Sequence, residues 1–264
     1  MYEFSYKKPG SLDEAKAQFS AGDDPLFMAG GQTIIPTLKQ RLASPSDVID
    51  ISKLKELKGI SREGNAVVIG AGQTHNSVAT SDVVRDAIPG LAALAGQIGD
   101  PAVRHRGTLG GSIANADPTA DYPAALLALG ATITTMSREI AAEDFFTDLF
   151  ETALEEGEIV TKVSFPIPEV SGYVKFPNPA SRYAIVGSFV AKTSEGVRVR
   201  ITGAGPKAFR SSDLEAALAS DFSASGVGGV SISADGLNQD LHASAAYRAN
   251  LVKVMTGRAV EACA

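Results

Sequence analysis

The chain has 264 residues, with 24 Lys and Arg against 30 Asp and Glu, and a net charge of −6 with no basic cluster argues against a nucleic-acid surface. A composition 44% hydrophobic and 20% charged belongs to a folded chain rather than a disordered one. The single cysteine, Cys263, excludes an internal disulfide and an iron–sulfur cluster held by this chain alone, since such a cluster takes about four thiolates.

Met1-Tyr2-Glu3-Phe4 lacks the basic and apolar stretches of a signal peptide, and no apolar run approaches roughly 18 residues. A cytoplasmic protein without a membrane span is expected. Residues 4–6 form a short strand candidate, and Ser11-Leu12-Asp13-Glu14 is a capping box that predicts a helix over 12–20. Residues 26–29 predict a buried strand running into Gly30-Gly31-Gln32-Thr33. Residues 33–42 then carry Ile34, Ile35, Leu38 and Leu42 at helical spacing, and 48–51 is another strand. This first segment, 1–57, is expected to be a small α/β lobe.

A second lobe is expected over 58–168. It opens with a strand at 67–69 that ends in Gly70-Ala71-Gly72. The Rossmann reading is rejected here, because the third glycine and the acidic residue about 20 positions on are both missing. Helices are predicted at 76–87 and 90–98, followed by the glycine-bearing stretch from Arg104 to Pro123. A helix through 124–129 and strands at 132–135 and 159–165 complete the lobe. The third segment, 171–264, holds strand candidates at 173–176 and 183–191, and a strictly alternating one at 197–201. Ser211 or Ser212 caps a helix to 219. The last helix, from about 240 to 258, carries Leu241, Ser244, Tyr247, Leu251, Val254 and Met255 on one face.

Two stretches concentrate the chemistry. Each runs into a glycine pair flanked by a hydroxyl: Gly30-Gly31 before Thr33, and Gly110-Gly111 between Thr108 and Ser112. Glycines let a backbone approach a ligand closely, and successive exposed N–H groups make an anion site. With 26 glycines in the chain a lone pair is more often a plain turn, but two such loops suggest a dinucleotide gripped from both sides. Asp121 before Tyr122-Pro123 has the form of a helix cap, Asp117-Pro118 of a turn, and Arg104 and Arg106 of surface ion-pairing residues. His75, His105 and His242 have no metal-ligand spacing, so no metal site is expected.

Ala29-Gly30-Gly31-Gln32-Thr33-Ile34-Ile35-Pro36 and Thr108-Leu109-Gly110-Gly111-Ser112-Ile113-Ala114-Asn115-Ala116-Asp117-Pro118 resemble the two FAD-pyrophosphate signatures of the medium, flavin-carrying subunits of molybdenum hydroxylases. These include the flavoprotein subunit of aerobic carbon monoxide dehydrogenase and the FAD domain of xanthine dehydrogenase. The resemblance implies an α/β fold with two lobes clasping FAD, of the vanillyl-alcohol-oxidase/PCMH type, plus a C-terminal α+β domain. It implies cofactor contacts from Met28, Ala29, Gly30, Gly31, Gln32, Thr33 and Ile34 in the first loop. Thr108, Gly110, Gly111 and Ser112 would answer from the second, with Asn115 and Asp121 beside them. Ile98 and Val160 would be apolar contacts, and Lys175 and Tyr183 would lie near the flavin ring. It implies non-covalent FAD, with the molybdenum cofactor and 2Fe–2S clusters on partner subunits, one large and one small, in a dimer of heterotrimers. A free-standing flavin oxidase or reductase and a non-redox nucleotide-binding scaffold are the alternatives.

Overall fold

The computed structural model describes residues 1–263 and builds them on three main sheets. The first is wholly parallel. β1 (Ser5–Lys7), α1 (Leu12–Ser20), β2 (Pro25–Met28), α2 (Ile34–Lys39) and β3 (Asp47–Asp50) follow in sequence, and β3 lies between the other two strands. Ser11 caps α1 as the capping box predicts, taking the Glu14 N–H at 3.2 Å. The Glu14 carboxylate reaches back one residue further, to the Gly10 N–H at 2.6 Å. α2 stops short of residue 42. Arg41 turns to a φ of 59°, and Leu42 is left in solvent at 72% exposure.

The second sheet has the order β4-β5-β10-β6-β7, with antiparallel pairing throughout. β4 (Ile60–Glu63), absent from the sequence reading, turns at Gly64 into β5 (Ala66–Gly70). α3 (His75–Thr80) and α4 (Asp82–Ala87) replace one predicted helix, because Ser81 between them is extended. α5 (Pro89–Gly96) and α6 (Pro101–Arg104) each begin on proline, the residue best suited to a helix's first position. Next come α7 (Leu109–Asn115), α8 (Tyr122–Leu129), β6 (Thr132–Thr135), β7 (Glu139–Ala141) and α9 (Ala142–Phe145). A small hairpin, β8 (Phe146–Asp148) and β9 (Glu151–Thr152), precedes β10 (Val160–Pro166). The second glycine stretch is therefore a helix, and its glycine pair sits in the first turn of α7.

The third sheet is an antiparallel run of β11 (Val170–Pro177), β12 (Ala184–Thr193), β13 (Gly196–Thr202) and β14 (Phe209–Arg210). α10 (Ser212–Ser220) and α11 (Ala245–Glu261) complete the chain, with α11 packed on β11 and β12. α11 starts later than predicted, since residues 240–243 form a turn in which Asp240 accepts the His242 and Ala243 N–H groups. Its buried face carries Arg248, Leu251, Val252, Met255 and Ala259, whereas Leu241 and Tyr247 are exposed.

All eight residues of α8 are buried, as its uniformly apolar sequence requires. It sits between the core of the second sheet and strands β12 and β13 of the third. That position draws the residue at its N-terminus, Asp121, into the interior, where Asp121 is 3% exposed. Among the described residues no helix is long and apolar enough to cross a membrane.

Candidate functional site

The two glycine loops touch. Gly30 lies so close to the second loop that a Cβ on it would stand 2.2 Å from the Arg106 carbonyl oxygen and 2.8 Å from the Gly107 Cα. On the far side, the Gly110 N–H donates to the Ala71 carbonyl at 2.8 Å, and a Cβ there would stand 2.7 Å from the Ala71 Cβ. Residues 71–75 thus run alongside 107–110, with further bonds from Leu109 N–H to the Gln73 carbonyl and from His75 N–H to the Gly107 carbonyl, both 3.0 Å. A cavity of about 500 Å³ opens between the loops, within the size range of small-molecule and cofactor sites.

The two loops differ in their hydrogen bonds. The N–H groups of Gly30, Gly31, Gln32, Thr33 and Ile34 have no acceptor among the described residues. Gly31, at a φ of 73°, bends this run into the cavity wall. Such a run of unpaired N–H groups is a concave anion cradle. The α7 loop is the reverse. The Gly111 N–H is taken by the Thr108 hydroxyl at 3.1 Å, and those of Leu109, Gly110 and Ser112 by backbone carbonyls. The Gly111 N–H, expected as a phosphate donor, is therefore turned onto its own helix cap. What α7 offers is closeness: Gly111 is exposed to the cavity, and a Cβ there would meet little beyond the Thr108 hydroxyl.

Most of the expected residues line this cavity: 29–34 from the first loop; Thr108, Gly110, Gly111, Ser112 and Asn115 from the second; and Ile98, Asp121, Val160 and Tyr183. Ile98 and Val160 are among its apolar lining residues, with Leu57 and Ile159. Two do not line it. Met28 is the last residue of β2, below the turn, and Lys175 is buried behind Asp121, paired to it at 3.0 Å rather than facing a flavin ring. Lys175 lies equally close to both Asp121 oxygens, and one of the two also accepts from the Tyr173 hydroxyl. Burial pushes the Asp121 carboxyl up from its ordinary range, and the Lys175 charge and the Tyr173 hydroxyl pull against it. Asp121 holds the cap position of α8 but makes no side-chain cap bond. Among the described residues Arg104 makes no ion pair: it ties the Ile98 and Gly99 carbonyls at 3.0 and 3.1 Å, closing the loop that carries Ile98.

The sequence reading missed several wall residues. Ala71 and Gly72 line the cavity although their motif is not a Rossmann one. Asp117 lines it while its carboxylate holds the Thr119 N–H in a turn at 2.8 Å, and Arg182, at a φ of 64°, stands with Tyr183 on the rim. Glu158 is an anion on the wall but is engaged: the Arg138 guanidinium, with the Glu155 N–H and the Thr135 hydroxyl, brings its carboxyl down to about 2. Ala71, Gly72, Glu158 and Arg182 carry no signal of this in local sequence, whereas Asp117 stands inside the second resembling stretch and forms the turn read there.

His75 is the buried histidine of the site. Its ring packs on Tyr122 at 5.5 Å, and its Nδ1 has no partner among the described residues. Burial, with the Arg104 charge, lowers it to about 4. In the window from about 6.5 down to about 4 the unfolded chain binds a proton here that the folded chain refuses, so stability is lost as pH falls through it, by about 3 kcal/mol. Urea unfolding near pH 7 and near pH 4.5 checks this. The His75→Gln variant should show a smaller loss by about that amount, and an equal loss in both proteins would remove His75 as its source. His105 is exposed, its ring on the Pro101 carbonyl, and the three histidines do not meet.

Residues 2–168 match the family described as the FAD binding domain in molybdopterin dehydrogenase. The chain belongs to that family. It is 36% identical over 224 residues to the glyceraldehyde dehydrogenase medium chain of Sulfolobus acidocaldarius, covering 81% of this chain and 80% of that one. It is also 34% identical over 272 residues to the nicotine 6-hydroxylase medium subunit of Paenarthrobacter nicotinovorans, covering 97% and 95%. Among solved structures, a carbon monoxide dehydrogenase from Hydrogenophaga pseudoflava superposes with a TM-score of 0.88 at 34% identity, covering 98% of this chain and 96% of that one. The protein is an FAD-binding medium subunit of the molybdenum-hydroxylase type, an FAD-dependent oxidoreductase subunit whose relatives are subunits of multi-subunit enzymes. The cavity suits the cofactor: the free N–H run suits a pyrophosphate, the Gly111 gap its close approach, and the apolar wall a flat ring system.

Proposed function

We propose that this subunit relays electrons: it collects them from iron–sulfur clusters on a partner chain and delivers them from its FAD to an external acceptor. In this reading the segments 1–57 and 58–168 clasp the cofactor, and 171–264 closes the site from behind. The five unpaired N–H groups from Gly30 to Ile34 carry the reading, since they prepare a place for the pyrophosphate before it arrives. Ile98 and Val160 would pack on the cofactor, Asn115 and Asp121 would bond to it, and Tyr183 on the rim would control access to the ring. Bound FAD supplies the redox chemistry, and the chain's task is to bind it, orient it and keep water from it. With a lone cysteine, the chain leaves the iron–sulfur clusters to a small subunit and the molybdenum cofactor to a large one, assembled as a dimer of heterotrimers.

The test is to purify the tagged chain from its own source and assay flavin, iron and molybdenum together. Flavin released by acid precipitation, with stoichiometric iron and molybdenum on two co-purifying chains, is the expected result. Flavin with neither metal would favour a free-standing flavin enzyme, and a colourless protein that takes up no FAD would overturn both.

A further inference from the structure

We infer that Tyr173 and Lys175 are positioning residues that hold the Asp121 carboxylate, and through it the FAD, without Lys175 touching the cofactor itself. This rests on FAD occupying the cavity between the glycine loops. Asp121 has helical backbone angles (φ −78°, ψ −44°) and leaves its own helix uncapped, so the carboxylate is turned into the interior. There one oxygen accepts from the Tyr173 hydroxyl and Lys175 donates at 3.0 Å. Tyr173 and Lys175 are two residues apart on β11 and so share a face, whereas Val174 between them packs into the core of the third sheet.

Room for this contact is built into the neighbouring strand. Gly187 on β12 lies beside Tyr173, and a Cβ there would stand 2.5 Å from the tyrosine hydroxyl oxygen. All three side chains are buried, yet only Asp121 reaches the cavity wall. A neutral carboxyl would leave the Lys175 ammonium uncompensated in the interior, so the pair keeps an anion here. An ionised carboxylate has about four acceptor positions, and the two donors behind it leave the others for hydroxyl or N–H groups of FAD. Tyr173 and Lys175 thus fix the direction of one acceptor on the cofactor wall.

The test is titration of FAD into the apo form of the full chain, read by flavin fluorescence, with a thermal melt of each apo variant as the fold control. Tyr173→Phe, which removes only the hydroxyl, and Lys175→Met should each weaken FAD binding roughly tenfold or more. Gly187→Ala, which displaces the hydroxyl, should act as Tyr173→Phe does. In an Asp121→Asn background all three should cost less than about twofold, because their effect passes through the carboxylate. Wild-type affinity in Tyr173→Phe would overturn the inference. So would an equal Lys175→Met penalty in both backgrounds, the mark of a direct lysine–cofactor contact. A wild-type apo chain that takes up no FAD would instead overturn the cofactor reading on which it rests.

Discussion

Gly30→Ala is expected to give a protein that purifies with little or no flavin and melts at a lower temperature. The added methyl would stand 2.2 Å from the Arg106 carbonyl oxygen and 2.8 Å from the Gly107 Cα, and both are backbone atoms that cannot rotate away. One loop must retreat from the other. Overpacking of this kind costs about 1–3 kcal/mol in stability, and the retreat widens the gap that a pyrophosphate would bridge in the proposed site. The effect is steric, since Gly30 does not have a positive φ. Gly229→Ala is the control: a Cβ there meets nothing within 4 Å. The flavin-to-protein ratio of the two purified variants decides the matter, and a Gly30→Ala protein with full flavin would show that the loops have slack.

Asp121→Asn should destabilise the fold by about 3–5 kcal/mol, the cost of leaving a buried charge without its partner. The charge is Lys175, whose side chain is 2% exposed. Adding Lys175→Met to the same chain should return most of the loss, because a neutral pair no longer buries an ion. Denaturant unfolding of the two single variants and the double one closes the cycle. Additive losses would mean that the two residues are not energetically coupled.

Local sequence carried much of the fold. The Ser11 capping box, the alternation at 197–201 and the apolar run of α8 each act within a few residues, so periodicity and cap chemistry located α1, β13 and α8. It failed where neighbours in space decide. Residues 76–87 look like one helix, but Ser81 is extended and splits it. Leu241 and Tyr247 have helical spacing with Leu251, yet the chain turns at 240–243 and leaves both in solvent. β4, β7 and the β8–β9 hairpin are too short to show a period, and they become strands through pairing and through single apolar residues, Ile60, Ile140 and Phe146, that reach the core.

The candidate site divides in the same way. Glycine pairs and hydroxyls are local features, so the sequence by itself determined that two glycine loops flanked by hydroxyls exist, and the resemblance of the two stretches named the cofactor. Only the tertiary structure decided what each loop does. Residues 71–75 and the Thr108 hydroxyl occupy the N–H groups of the α7 loop, which leaves the unpaired donors on 30–34. Lys175 likewise carries no sign in its own strand of whether it faces solvent, a flavin or a carboxylate. Its partner is 54 residues away in sequence, brought there because α8 must bury every side. A hydrogen bond needs both groups in one place, and that meeting is a property of packing.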